Sequence, residues 1–381
     1  MPAGMSRAAR RSIASIAMLL AIACAKDPDY KRMSGTGGSS NGGSTGSGGS
    51  AGTGGAPPPV DSGLPTSFKW TSPGPLITAK QDATHPIVSL KDPSVVFVDG
   101  RWHVFATTAN TSGGWSIVYL TFTDWPQADA APLFYLDNNP PALGGYHAAP
   151  QVFYFAPQSK WYLVFQSGQP QYSTNDDITK PAAWTRPVDF FPGGEPPGVT
   201  ANKGAGGWLD FFVICDDVNC HLFFTDDDGE MFRSQTKLTD FPSGFGDAVV
   251  AIQGVKETVF EGGMTYHIKG KDAYLTLVEA FGPSGNRFFR SFVSSSLDGV
   301  WTPLAADWTN PFAGKTNVTF TAGTAWTADI SHGELIRNGY DQKLEIDPTN
   351  LQLLYQGADP ATTSLEYSQI PWKISLLTQV P

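Results

Sequence analysis

A strand–turn–strand unit recurs along the chain, and this repeat limits the possible folds more than any other feature. Its clearest copy is Leu90-Lys91-Asp92-Pro93-Ser94-Val95-Val96-Phe97-Val98-Asp99-Gly100-Arg101-Trp102. The β-branched and aromatic residues Val95, Val96, Phe97 and Val98 suit a buried strand. Asp99-Gly100 supplies the positive φ angles of a hairpin turn. Pro93 is expected to hold the backbone of Asp92 in extended geometry. The second copy runs over 149–155 and returns through 161–165; the third covers 208–214 and 221–224. The fourth covers 260–268 and 274–278, and the fifth starts at 330–336 and returns through 343–346. Gly, Pro, Asn and Asp punctuate every unit, and no sustained amphipathic helix pattern interrupts them. The period of roughly fifty to seventy residues is the length of one four-stranded propeller blade with its loops. The fold class is therefore all-β, a five-bladed β-propeller. A β-sandwich is the alternative, disfavoured because five similar hairpins need five similar environments. The stretch 370–377 is expected to return to the first blade, so that the chain ends share a blade and close the ring.

The N-terminus has a different character. Arg7, Arg10 and Arg11 precede an apolar run, 13–23, that is too short to span a bilayer. This reads as an export signal over 1–23. Leu20-Ala21-Ile22-Ala23-Cys24 resembles the bacterial lipoprotein box, which makes Cys24 the lipidated first residue of the mature protein. Residues 24–63 are rich in Gly, Ser, Thr and Pro and read as a flexible tether. The propeller is then expected over 64–381, on an exported protein held at a membrane through its N-terminal lipid. Cys215 and Cys220 flank a four-residue turn between two apolar strands, and in an exported protein this reads as a disulfide across a hairpin. Zinc is disfavoured, because no second pair has ligand spacing.

Net charge is −10, with 16% charged residues. Phosphate binding needs clustered Lys and Arg, so a nucleic-acid partner is not expected. Acid and aromatic residues in excess suit a neutral polar ligand such as a sugar.

In a propeller the innermost strands begin at one rim of the central channel. The corresponding positions are Asp92 in the first unit, Asp210 in the third and Glu261 in the fourth, with His332 and Glu334 nearby in the fifth. Converging carboxylates push their pKa values apart, so one stays protonated while another stays ionised. Hydrolysis of a glycoside needs that pair: an acid for the departing oxygen and a base for water.

The sequence resembles the family 62 glycoside hydrolases, α-L-arabinofuranosidases that act on arabinoxylan. The resemblance spans roughly 68–377. It is carried by Leu90-Lys91-Asp92-Pro93, Ala149-Pro150-Gln151-Val152-Phe153-Tyr154-Phe155, Trp208-Leu209-Asp210-Phe211, Val259-Phe260-Glu261, Phe289-Arg290-Ser291-Phe292, Asp329-Ile330-Ser331-His332-Gly333-Glu334-Leu335 and Leu353-Leu354-Tyr355-Gln356-Gly357. It implies a five-bladed propeller, with Asp92 as general base, Glu261 as general acid and Asp210 tuning and orienting that acid. It also implies an arabinose pocket built with Lys91, Arg290, Tyr355 and Gln356. His332 takes the position that helps hold a calcium ion in the central channel, largely through waters. Catalysis needs no cofactor, and a monomer is expected.

The sequence departs from the family pattern in two places. Tyr172, in the turn after the second unit, stands in for a Trp against the sugar, and Gly262-Gly263 follows Glu261 where Ala-Pro is commoner. His147, beside Tyr146, is a further candidate facing the cleft. Two rivals stay open: another propeller glycosidase (a β-xylosidase or an endo-arabinanase), and a surface carbohydrate-binding propeller without catalysis.

Overall fold

The computed structural model describes residues 60–139 and 142–381. The export signal, Cys24 and all of the tether before residue 60 lie outside the described residues.

Five sheets of four or five strands form the blades of a propeller. The first blade runs outward from Ile87–Val98 through Arg101–Asn110 and Trp115–Phe122 to Phe134–Tyr135. The second runs Ala148–Phe155, Lys160–Gln166, Pro170–Asn175 and Val188–Asp189, and the third runs Leu209–Cys215, Asn219–Thr225, Glu230–Lys237 and Val249–Gln253. The fourth begins with Met264–Ile268 and continues through Tyr274–Phe281, Arg287–Ser294 and Thr302–Pro303. The stretch expected to return the fifth hairpin instead contributes Glu345–Ile346, paired in parallel with Met264–Ile268. The true return strand of the fifth blade is Gln352–Gly357.

The chain ends do share a blade, but it is the fifth. Lys373–Gln379 pairs with Gln352–Gly357 on one side and with Trp70–Ser72 on the other. The first strand of the described chain thus closes the ring around the last blade. Each blade buries a nearly continuous apolar set; Phe211, Val213 and Ile214 of the third are at most 1% exposed.

An inner strand is a sheet edge, and its free N–H and C=O groups need partners when buried. Buried side chains supply them. Gln151 accepts from Val213 N–H (2.7 Å) and donates to Val213 C=O (2.8 Å), joining the second blade to the third. Arg337 Nη2 donates to the carbonyls of Val95 (2.7 Å) and Val152 (2.8 Å). Glu334, expected beside the catalytic carboxylates, belongs to this wall. Its Oε2 accepts from Ser94 Oγ (2.5 Å) and Val95 N–H (2.8 Å), and its Oε1 lies 2.9 Å from Arg337. Cys215 and Cys220 are disulfide-bonded partners in the third blade's inner hairpin, as their spacing implied.

Candidate active site

A β-bulge shapes the start of the inner strand in the first, second, third and fifth blades. Pairing slips at Lys91/Ser94, Ala148/Gln151, Leu209/Phe212 and Ser331/Gly333. In the first three of these, the bulged residue takes a left-handed backbone: Asp92 at φ 47°, Ala149 at φ 50° and Asp210 at φ 58°. The extended geometry expected for Asp92 is thus corrected. Pro93 excludes right-handed helix at the residue before it, and the bulge selects the left-handed alternative that Asp tolerates. The bulge turns the Asp92 and Asp210 side chains into the channel mouth. The fourth blade differs: its left-handed residue is Gly262 (φ 66°), and Glu261 stands one position earlier. In the fifth blade the bulge depends on Gly333, where a Cβ would meet Leu354 C=O at 1.9 Å.

Asp92 is held from both directions. Its backbone N–H donates to Gln356 Oε1 at 2.8 Å. Its Oδ1 lies 3.8 Å from Lys91 Nζ and 3.4 Å from His332 Nδ1. Burial pushes its pKa up, but Lys91, His332, the Thr107 hydroxyl and Arg287 together outweigh burial and hold it below the usual carboxylate value. Lys91 donates to Tyr367 OH at 2.7 Å and lies over the rings of Tyr367 (4.4 Å) and Trp115 (4.7 Å).

Asp210 has the opposite electrostatics. Burial, then the charges of Glu261 and Asp92, raise its pKa to about 6 against the opposing pull of His332. Its Oδ2 accepts the Gly262 N–H at 2.8 Å, which ties it to the residue after Glu261. Its own N–H donates to Gln166 Oε1 at 3.1 Å, and Gln166 Nε2 donates to Tyr146 OH at 2.7 Å. His332 Nδ1 stands between the two aspartates, 3.8 Å from Asp210, and their charges raise its pKa although burial opposes this.

Glu261 is paired with Arg287, whose Nη1 also reaches Glu279 Oε2 at 3.2 Å. Ser331 Oγ donates to Glu279 Oε1 at 3.0 Å and accepts from Gln356 Nε2 at 3.0 Å. A buried chain of contacts therefore runs from the backbone of Asp92 through Gln356, Ser331, Glu279 and Arg287 to Glu261.

Asp92, Asp210, Glu261, Lys91 and His332 line one open cleft of about 310 Å³, with Trp115, Tyr146, Gln166 and Tyr367. Gln356 supports the site from beneath. Four other expected residues lie elsewhere. Arg290 is three positions after Arg287 on one strand, so the two face opposite sides. Arg290 donates to Ala306 C=O and Thr258 C=O, both at 2.6 Å, and Arg287 takes the cleft. Tyr355 adjoins Gln356 but faces the core, with its hydroxyl 2.8 Å from Ser72 Oγ. Tyr172 packs on Tyr162 and Phe190. His147 sets its ring edge-on against Phe165, and burial lowers its pKa; its neighbour Tyr146 faces the cleft instead.

Arg287, Glu279, Trp115, Tyr146 and Tyr367 were not singled out from the sequence. Strand alternation read outward from Glu261's blade could have found Arg287; nothing local marks the others. Two of the channel's polar side chains are already engaged. Gln151 is consumed by Val213, and Glu334 by Ser94, Val95 and Arg337. Among the described residues no three of His, Cys, Asp and Glu group as metal ligands. Calcium takes about six to eight oxygens, so an ion held at His332 would draw most of its ligands from water.

Residues 69–378 match the sequence profile of glycosyl hydrolase family 62. The chain is 43% identical over 318 residues to alpha-L-arabinofuranosidase C of Cellvibrio japonicus (strain Ueda107), covering 82% of this chain and 47% of that protein. It thus spans about half the length of this curated relative. The catalytic domain of a Coprinopsis cinerea GH62 alpha-L-arabinofuranosidase superposes with a TM-score of 0.80 at 54% identity, over 83% of this chain and 98% of that one. A GH62 hydrolase in complex with xylotriose superposes with a TM-score of 0.79 at 46% identity, over 83% and 98% of the two chains.

Proposed function

The chain belongs to glycosyl hydrolase family 62, and from that premise we propose that it is an exo-acting, inverting α-L-arabinofuranosidase that removes arabinofuranosyl side chains from arabinoxylan. The observation that carries this reading is the convergence of three carboxylates, Asp92, Asp210 and Glu261 from three different blades, on one cleft in a chain of this family. The xylotriose bound by a similar GH62 hydrolase supports a xylan-type substrate.

In this mechanism Asp92 is the general base. Lys91, His332 and Gln356 fix its carboxylate, which takes a proton from water as the water oxygen attacks C1. Glu261 is the general acid. Its proton passes to the xylose oxygen as the C1–O bond breaks, and the bond's electron pair stays on that oxygen. Asp210, bonded to Gly262 N–H, orients the acid. Trp115, Tyr146 and Tyr367 line the cleft with aromatic side chains.

We place the enzyme outside the cytoplasm, anchored by lipid at Cys24 on the 24–63 tether and acting as a monomer. The basic and apolar pattern of 1–23 supports export.

Wheat arabinoxylan is the substrate to test, with Glu261→Gln as control. Free arabinose released by the native chain alone supports the reading. Xylose or arabinan fragments would point to a β-xylosidase or an endo-arabinanase. Retained polymer binding without release would make the protein a binding propeller.

A further inference from the structure

Glu279 is fully buried on the second strand of the fourth blade, and the mechanism above gives it no part. Its backbone N–H donates to Glu261 C=O at 2.9 Å, so the two residues are neighbours across the sheet. One guanidinium nitrogen, Arg287 Nη1, serves both carboxylates. The rings of Phe260 (5.0 Å) and Trp372 (5.7 Å) confine that guanidinium, and its backbone N–H donates to Asp329 at 2.9 Å. Ser331 Oγ and the His332 N–H hold Glu279 Oε1 in place. Gly262 leaves the room: a Cβ there would stand 3.0 Å from that oxygen.

This arrangement resolves a conflict. A carboxylate paired with arginine is held ionised, and arginine does not give up its charge. Glu261 can carry a proton only when the charge of Arg287 is met elsewhere. We propose that Glu279 is a positioning residue for the acid: it offers Arg287 a second carboxylate, so that Glu261 can leave the guanidinium and carry the proton that goes to the departing oxygen. The inference rests on Glu261 being the acid. The charged groups facing the pair are Arg287, His332, Asp210, Asp92, Lys91 and Asp329. Burial pushes Glu279 up to about 7, against the opposing charges of Arg287 and His332.

The test uses the full chain and its Glu279→Gln, Glu279→Asp and Glu261→Gln variants. kcat/KM is followed from about pH 4 to about pH 9 on arabinoxylan and on 4-nitrophenyl α-L-arabinofuranoside, whose leaving phenolate needs no proton. Glu279→Gln should move the alkaline limb on arabinoxylan down by about one unit or more. It should lose about tenfold to a hundredfold on arabinoxylan at neutral pH, and about threefold or less on the aryl glycoside. Glu279→Asp keeps the charge and should return the limb most of the way. Neither the limb nor the ratio between substrates depends on how much protein folds. An unmoved limb, or equal losses on both substrates, would overturn the proposal. Selective loss in Glu261→Gln but not in Glu279→Gln sinks this proposal alone; no selectivity in Glu261→Gln sinks the reading of Glu261 beneath it.

Discussion

The first and fourth blades bring their carboxylates to the same cleft by different means. Asp92 is fixed by its backbone: the bulge sets φ at 47°, and Gln356 holds its N–H. Its residue is 6% exposed. Glu261 precedes the bend at Gly262 and is fixed by its side chain, through Arg287, with 14% of that side chain exposed. A base that must stay ionised and still can be built into a strand. An acid that must gain and lose a proton needs a partner that can share its charge. The mouth of the first blade is accordingly set by backbone geometry, while that of the fourth is a side-chain network around two glutamates and one arginine.

The largest effect expected from this contrast is at Asp92. Asp92→Asn should lower kcat by about 10³-fold to 10⁴-fold on arabinoxylan and on the aryl glycoside alike, because both need activated water. Polymer binding should change little, while the melting temperature should fall because buried Lys91 and His332 lose their partner; binding assays and calorimetry check the two. Next is Glu261→Gln, expected to cost about 10²-fold to 10⁴-fold on arabinoxylan and about tenfold or less on the aryl glycoside. Equal losses in the two variants on both substrates would erase the distinction between base and acid.

Gly262→Ala sharpens the comparison on the acid side. A side chain at φ 66° costs about 1 kcal/mol, and its Cβ presses on Glu279. Arabinoxylan turnover should fall by about fivefold to twentyfold with the aryl glycoside less affected, and the melting point should drop by about 2–4 °C. The smallest effect is the pH dependence of stability. Asp92 has a depressed folded pKa, so its contribution is present above the ordinary carboxylate range and lost as pH falls through the folded value. Asp210 and Glu279 have raised values, so theirs is present in acid and lost as pH rises through about 6 and about 7. Calorimetry should show the melting temperature falling from about pH 5 to about pH 8, and Glu279→Gln should flatten that slope.

The division between the blades also explains what the sequence disclosed. Asp92-Pro93 and Leu209-Asp210 were legible because each opens an apolar strand, a signal written in adjacent residues; the bulge that turns their side chains was not. The repeat of hairpins fixed the blade count for the same reason. Glu261 was found by analogy with those positions, although its register is one residue earlier. Arg287 and Glu279 were not legible, because their role depends on which face of two separate strands meets a third. Arg290 was taken in place of Arg287; a three-residue step along a strand reverses the face. Tyr355 and His147 each adjoin a residue of the site, and the same alternation buries them. The fifth blade mixes Trp70–Ser72 with the last strands, a pairing between distant parts of the chain that local pattern locates only as a closed ring.

The most direct measurement is proton NMR of the first arabinose anomer that the full chain releases from wheat arabinoxylan, recorded before mutarotation. Water activated by Asp92 on the face opposite the departing xylose must give the β-anomer first. The α-anomer appearing first would contradict a single displacement by water and with it the roles of Asp92 and Glu261.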